Sequence, residues 1–193
     1  NPAYTAEELK VLVAGCGATH ALVFHKAVEG VLQASEGTAL ATVVSVDVVK
    51  DLPKLSQFLL RLPVPAAKEK VAALRGVVPA AVPDWHTLCK KAAPDDTVVD
   101  LGADDVALLL HTGGTTGTPK AAVLTHRNLV ANVVHGQAWV GFAPGEETVY
   151  GILPFFHAFG LLFCLTLPGY IGATLVAFPN FDPPAVIDAQ KRR

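Results

Sequence analysis

The segment Thr112–Lys120, TGGTTGTPK, concentrates groups that bind phosphate. It contains three glycines, four threonines, one proline and one lysine between two apolar segments. Glycines allow backbone N–H groups to turn toward an anion and approach it closely. Threonine hydroxyls add hydrogen-bond donors, and a lysine adds a compact positive charge suited to a polyphosphate. The composition therefore predicts a loop that holds a phosphate chain.

The spacing of this loop differs from the common nucleotide-binding pattern G-x-x-x-x-G-K-[ST]. Thr118 and Pro119 separate Gly117 from Lys120, and Ala121 follows the lysine in place of a magnesium-binding hydroxyl. The flanking residues 106–111 and 120–126 read as strands, with Thr125 as the N-cap of a following helix. An ordinary hairpin turn is the alternative, but such turns need about two to five residues and no lysine. A strand–loop–strand phosphate site is the prediction.

Two other segments hold residues of chemical interest. GCGATH (15–20) resembles the dinucleotide fingerprint G-x-G-x-x-G, but His20 replaces its last glycine and a helix precedes it, so a helix stop is the better interpretation. LPFFHAFG (153–160) places His157 among phenylalanines. Taken alone, such a histidine is typical of a core residue.

The motifs together resemble those of the adenylate-forming enzymes: acyl-CoA synthetases, firefly luciferase and the adenylation domains of peptide synthetases. TGGTTGTPK followed by LTHRNL matches the phosphate-binding signature of that family, and LPFFHAFG resembles its next core motif. NPAYTAEEL, at the start of the chain, resembles a segment upstream of both. The nearest resemblance is to bacterial long-chain fatty-acid–CoA ligases.

The resemblance implies a two-step reaction with ATP, Mg²⁺ and coenzyme A. A carboxylate attacks the α-phosphorus of ATP, pyrophosphate leaves, and the thiol of coenzyme A then attacks the acyl-adenylate. The family pattern assigns His157 to the acyl and adenylate pocket and lets Thr112 reach the magnesium ion. It assigns the ATP phosphates to Thr112, Gly113, Gly114, Thr115, Thr116, Gly117 and Lys120.

The sequence also departs from the family pattern. Ala121 stands where the family usually has glycine, and Leu161 stands where some long-chain members carry a gating tryptophan. The later motifs that supply a magnesium-binding glutamate, a ribose-binding aspartate and a catalytic lysine do not occur in residues 1–193. The chain is therefore expected to be a subdomain of the large N-terminal domain, truncated at both ends, with no complete catalytic set and no activity in isolation.

Two other functions remain open from the sequence. One is an acyl- or aryl-adenylating enzyme that loads a carrier protein. The other is a non-catalytic domain that binds a nucleotide or a lipid.

Alternating helix and strand signals predict an α/β fold, layered αβα with a largely parallel sheet. A capping box at Thr5 and Glu8 predicts the first helix. Residues 50–103 read as an irregular, insertion-like segment. The predicted elements are helix 6–14, a buried strand 20–24, helix 26–35, strand 39–46, helix 157–167, a turn at Pro168–Gly169 and strand 173–178.

Charge and cysteine content limit the partners. A net charge of −2 with 17% charged residues argues against nucleic acid. Three dispersed cysteines suggest neither disulfides nor zinc, so a cytoplasmic location is expected. The uncharged stretch between Glu147 and Asp182 is interrupted by prolines and glycines, which argues against a membrane span.

One basic segment leaves two interpretations open. Lys50–Arg75 contains six basic and two acidic residues, with Phe58, Leu59 and Leu62 among them. It is either a solvated insertion or a peripheral contact with a membrane surface such as the inner membrane. Exposed apolar surface elsewhere on a subdomain would favour homo-oligomers.

Overall fold

The computed structural model describes residues 4–112, 120–178 and 181–192. The chain forms two compact units, Asn1–Thr97 and Val98–Arg193. The predicted α/β class is confirmed, since helices alternate with strand pairs and two of the three pairs in the described residues are parallel.

The first unit contains five helices and one parallel strand pair among its described residues. Short 3₁₀ turns at His25–Ala27 and Val48–Asp51 follow its two strands. The elements are α1 Ala6–Cys16, β1 His20–Phe24, α2 Val28–Ser35, β2 Thr42–Val46, α3 Lys54–Leu59, α4 Pro65–Leu74 and α5 Trp85–Lys91.

Helix α1 begins and ends where its local sequence requires. The Thr5 hydroxyl accepts from the Glu8 backbone N–H, and the Glu8 carboxylate accepts from the Thr5 backbone N–H at 2.8 Å, which confirms the capping box. Gly17 ends the helix with φ of 63°, a left-handed conformation that glycine adopts without strain. The GCGATH segment is therefore a helix stop, as predicted, and the helix runs two residues beyond the predicted Ala14.

Strands β1 and β2 are parallel and joined through α2, with His20 opposite Thr42 and Phe24 opposite Val46. The core of this unit consists of Val23, Val28, Val31, Leu40 and Val43, packed against partly buried residues of α1. Only Val23 is fully buried in β1, whereas the three central residues of β2 are buried. The prediction of a buried first strand thus holds for one of its residues.

An ion pair connects the end of β2 to the end of α4. Asp47 is 3% exposed, and its two carboxylate oxygens accept from the Nε and Nη2 atoms of Arg75, the first at 3.0 Å. Burial raises the pKa of Asp47, but the hydrogen bonds and the charge of Arg75 outweigh it and leave that pKa below its usual value. The pair fixes α4, which lies in the segment predicted to be irregular, against β2.

Replacing Arg75 with methionine is expected to lower the free energy of unfolding of the full-length protein by about 1–3 kcal/mol, because it leaves a buried carboxylate without its charged donor. Urea denaturation measures this. Arg61→Met is the matched control, since Arg61 is exposed and has no ion pair within residues 4–97. Equal effects of the two substitutions would contradict the role assigned to the Asp47–Arg75 pair.

The second unit contains two further strand pairs. Strands β3 and β4 are antiparallel, and β5 and β6 are parallel with Thr148 opposite Thr174. The elements are β3 Val106–Thr112, β4 Lys120–Thr125, α6 His126–Val140, β5 Thr148–Gly151, a π-helix Gly160–Thr166, α7 Leu167–Ile171, β6 Thr174–Ala177 and α8 Pro183–Lys191.

The structure corrects one predicted turn. Pro168 and Gly169 lie inside α7, and the chain turns at Gly172, which has φ of 68°. Pro168 is the second residue of α7, which continues directly from the π-helix that ends at Thr166. Leu167 and Ile171 then pack with Val133 of α6 to form the core of this unit.

No helix in the described part of the chain is long and apolar enough to cross a membrane. The uncharged stretch is instead divided among β5, the π-helix, α7 and β6.

Candidate functional site

The antiparallel pairing of β3 and β4 places Thr112 directly opposite Lys120. Paired residues in such a ladder lie about 5 Å apart between their Cα atoms. The Thr112 hydroxyl donates to the Lys120 carbonyl oxygen at 3.2 Å, and both residues are exposed. The two ends of the predicted phosphate loop are therefore held together at an open edge.

The rest of the predicted loop lies outside the described residues. Gly113, Gly114, Thr115, Thr116 and Gly117 belong to residues 113–119, so their roles stay predictions. The strands that flank them are as the sequence predicts, since β3 ends at Thr112 and β4 begins at Lys120.

The opposite end of the hairpin is tied to the start of α6. The backbone N–H groups of His126 and Arg127 donate to the carbonyls of Asp105 (3.1 Å) and Ala103 (2.7 Å), just before β3 begins. The Arg127 guanidinium also pairs with Asp104, and its hydrogen bonds lower the pKa of that exposed carboxylate. Such an exposed pair contributes little stability, so the backbone bonds set the geometry.

Thr125 is the N-cap of α6, as predicted. Its hydroxyl accepts from the Asn128 N–H at 3.2 Å, and the Asn128 side chain accepts from the Thr125 N–H at 3.0 Å. Ala121, which replaces the usual glycine, lies in β4 opposite His111. A strand backbone suits alanine, so this departure from the family pattern leaves the hairpin intact.

The segment that contains His157 is exposed. The His157 ring lies 4.6 Å from the Phe156 ring and tilted by 50°. Its backbone N–H donates to the Pro154 carbonyl at 3.1 Å, and its own carbonyl accepts from Leu161 at 2.8 Å. His157 is exposed within the part of the chain that the structure describes, and its place in an acyl and adenylate pocket stays a prediction.

Gly160 determines how this segment folds back on the helix that follows. A Cβ atom at Gly160 would lie 2.1 Å from the Pro154 carbonyl oxygen and 3.0 Å from the Leu153 carbonyl oxygen. Only a residue without a side chain permits that approach. In the sequence, Gly160 is one of the glycines that interrupt the uncharged stretch between Glu147 and Asp182. Its place at the end of LPFFHAFG was the available signal of a positioning role.

The His157 segment also packs on the sheet and connects to α6. The Phe155 ring lies 2.9 Å from the position that a Cβ atom of Gly151 in β5 would take. On the other side, Phe163 of the π-helix approaches Gly136 of α6 at 3.3 Å by the same measure. Helix α6 thus begins at the hairpin and packs against the helix that follows His157. Among the described residues, no hydrogen bond or ion pair joins His157 to Thr112 or Lys120.

The residues present suit a phosphate chain better than a metal held by the protein alone. Lys120 supplies a positive charge and Thr112 a hydroxyl whose proton is used toward Lys120, which leaves its oxygen lone pairs open to a cation. The described ranges contain no group of three His, Cys, Asp or Glu side chains that could hold a metal ion. Magnesium commonly takes few protein ligands together with substrate phosphates, which fits one hydroxyl beside a phosphate loop.

Two curated relatives share the sequence of part of this chain. A long-chain-fatty-acid–CoA ligase of Bacillus subtilis (strain 168) is 44% identical over 80 residues, which are 41% of this chain and 14% of that protein. A feruloyl-CoA synthase of an Amycolatopsis species is 42% identical over 100 residues, or 50% of this chain and 20% of that protein. The matched segments therefore cover about a fifth or less of the length of these relatives.

A solved structure shares the fold of the whole chain. The long-chain-fatty-acid-CoA ligase from Archaeoglobus fulgidus matches with a TM-score of 0.71 at 24% identity, over 100% of this chain and 32% of that one. At family level, residues 1–192 match the family described as AMP-binding enzyme. The motifs, the hairpin that presents Thr112 and Lys120, and this match agree: the chain belongs to the AMP-binding enzyme family of adenylate-forming enzymes.

Proposed function

We propose that the chain is part of an ATP-dependent fatty-acid–CoA ligase. Such an enzyme activates a carboxylate as its acyl-adenylate, releases pyrophosphate and forms the thioester with coenzyme A. The observation that carries the proposal is the hairpin edge, where Thr112 and Lys120 are paired and exposed at the two ends of the glycine- and threonine-rich loop.

This edge suits the departure of pyrophosphate. Phosphoryl chemistry of this kind depends on positioning and on neutralising the charge of the leaving group. Lys120 would neutralise the β- and γ-phosphates, Thr115 and Thr116 would donate hydroxyls, and Gly113, Gly114 and Gly117 would offer backbone N–H groups. Thr112 would donate to a phosphate oxygen by exchanging its hydrogen bond to the Lys120 carbonyl for one to the phosphate. A donor directed at developing charge in a dry site is worth about 3 kcal/mol. Mg²⁺, when bound, would supply further positive charge to the phosphates, and the Thr112 hydroxyl would help to hold it.

His157 is the proposed wall of the acyl and adenylate pocket. Its exposed ring and the Pro154 hydrogen bond that fixes its backbone support this role. Position 161 holds leucine, so no aromatic ring at that position can gate a fatty-acid tunnel. Selection of the acyl chain length would therefore depend on other residues.

One alternative to a fatty acid as the substrate has specific support. The similarity to a feruloyl-CoA synthase, over half of this chain, favours an aryl acid as the second candidate. Transfer to a carrier protein and a non-catalytic nucleotide- or lipid-binding role are the remaining alternatives. Cytoplasm, where ATP and coenzyme A are available, is the proposed location.

The test is carboxylate-dependent exchange of pyrophosphate into ATP by the full-length protein. Exchange with palmitate, followed by palmitoyl-CoA on addition of coenzyme A, is the expected result. Exchange with ferulate alone would support the aryl alternative, and exchange without thioester formation would support a carrier-protein acceptor. No exchange with any carboxylate would contradict catalysis altogether.

Residues 1–193 alone are expected to form no acyl-adenylate, because the glutamate, aspartate and lysine of the later family motifs are not among them. Labelled palmitate with ATP and magnesium tests this. Residues 1–193 also carry exposed apolar side chains, including Trp139 (91% exposed) and Phe159 (58% exposed). These side chains should make the isolated polypeptide self-associate. Adenylate formation at the rate of the full-length enzyme would show that the site is complete within these residues.

A further inference from the structure

The first unit contains an open groove that the ligase proposal does not use. It has a volume of about 420 Å³ and lies between the end of α3 and the exposed side of α4. Leu60, Leu62, Val71 and Ala72 form apolar walls, and Arg61 and Lys68 lie among them.

Two cations of the groove are available to a ligand. Arg75 also lines it, but its guanidinium is committed to the buried carboxylate of Asp47. Arg61 and Lys68 are exposed and form no ion pair with any residue in the described part of this unit. Between Lys54 and Arg75, Glu69 is the one acidic residue against five basic ones. The groove therefore favours an anion.

Apolar side chains are exposed on the helix that leads into the groove. On α3, Leu55 is 70% exposed, Phe58 60% and Leu59 49%, and this helix ends where the groove begins. Exposed apolar side chains beside uncommitted cations are typical of surfaces that bind anionic membranes. Nucleic acid is a poorer candidate, because binding its phosphate backbone would leave the exposed apolar side chains of α3 in water.

Lys50 does not belong to this surface, although it lies in the same basic segment. Its ammonium group is 2.8 Å from Asp84, and its hydrogen bond, together with those from Thr87, lowers the pKa of that carboxylate to about 2. Lys50 is therefore already paired with a carboxylate of its own unit. The cations that remain available to a ligand at the groove are Arg61 and Lys68.

We propose that this groove binds an anionic phospholipid at a membrane surface, with the head-group phosphate between Arg61 and Lys68. The glycerol and upper acyl chain would lie on Leu60, Leu62 and Val71, while the apolar residues of α3 enter the head-group region beside it. The inference goes beyond the ligase proposal and does not depend on it, because no residue of the hairpin or of the His157 segment takes part.

The experiment is sedimentation of the full-length protein with vesicles of phosphatidylcholine, with and without phosphatidylglycerol. Binding only to the anionic vesicles, weakened by salt, is the expected result. Arg61→Glu with Lys68→Glu should weaken it at least about tenfold, given about 1 kcal/mol for each basic residue near such a surface. Lys90→Glu with Lys91→Glu, an equal charge change on exposed lysines of α5, should have a much smaller effect.

A second set of variants distinguishes binding in the groove from nonspecific electrostatic attraction to the vesicles. Leu62→Ser with Val71→Ser keeps every charge and should still weaken binding to anionic vesicles, whereas inorganic phosphate should compete only feebly because it lacks an acyl chain. The proposed site would be overturned if charge reversal on α5 weakened vesicle binding as much as charge reversal in the groove. It would also be overturned if the full-length protein bound neutral vesicles equally well, or bound no vesicles. Unchanged circular dichroism of each variant shows that folding is preserved.

Discussion

Replacing Lys120 with alanine in the full-length protein is expected to lower fatty-acid-dependent pyrophosphate exchange by about one to three orders of magnitude. That range corresponds to loss of a charge-assisted phosphate contact. Lys120 begins β4 and its side chain is exposed, while its carbonyl and strand pairing remain after the substitution. The fold should therefore be kept, and the loss should appear in the use of ATP.

Controls separate the phosphate contact from general charge effects. Lys191→Ala removes an exposed lysine from α8 in the same unit and should leave the exchange unchanged. Lys120→Arg keeps the charge with a different geometry and should recover part of the activity. Exchange by Lys120→Ala at the original rate, or a loss shared by Lys191→Ala, would rule out the phosphate role of Lys120.

Gly160→Ala is expected to raise the KM for the carboxylate about tenfold to a hundredfold. The new Cβ atom would lie 2.1 Å from the Pro154 carbonyl oxygen, so the backbone that carries His157 must move. A misplacement of about 1 Å near a reacting group can cost about a hundredfold in rate. The strain should also destabilise the protein by about 1–3 kcal/mol, as overpacking does.

Gly169→Ala is the matched control, because a Cβ atom at Gly169 would meet nothing within 4 Å. Gly169 lies in helix α7, where alanine is better than glycine by about 1 kcal/mol. Steady-state kinetics below the unfolding temperature distinguish a positioning effect from unfolding: positioning changes the KM for the carboxylate more than the KM for ATP. Equal changes in both constants, or wild-type kinetics, would refute the positioning role of Gly160.

Features set by neighbouring residues could be predicted from the sequence. The caps at Thr5 and Thr125 and the stop at Gly17 depend on hydrogen bonds and backbone angles within a few residues. The strands on either side of the phosphate loop follow from short apolar runs bounded by glycine and proline. The motif Thr112–Lys120 carried the family assignment for the same reason, since its chemistry is local.

Burial and turn placement could not be predicted to the same extent. The apolar run of β1 indicates a buried strand, yet burial depends on which elements cover each face, and only Val23 is covered fully. Pro168 and Gly169 indicate a turn by composition. The packing of Leu167 and Ile171 against Val133 instead places them in a helix, and packing outweighs the weak local preference.

The class of fold, the caps, the loop motif and, through that motif, the family could be inferred from residue types at short spacing. Which of the described cations form ion pairs and which do not depends on the tertiary structure. Asp47 and Arg75 lie 28 residues apart, and Lys50 and Asp84 lie in different elements, so their pairing depends on packing. The requirement for glycine at position 160 also depends on packing, because it arises from the Pro154 carbonyl that folds back against this residue.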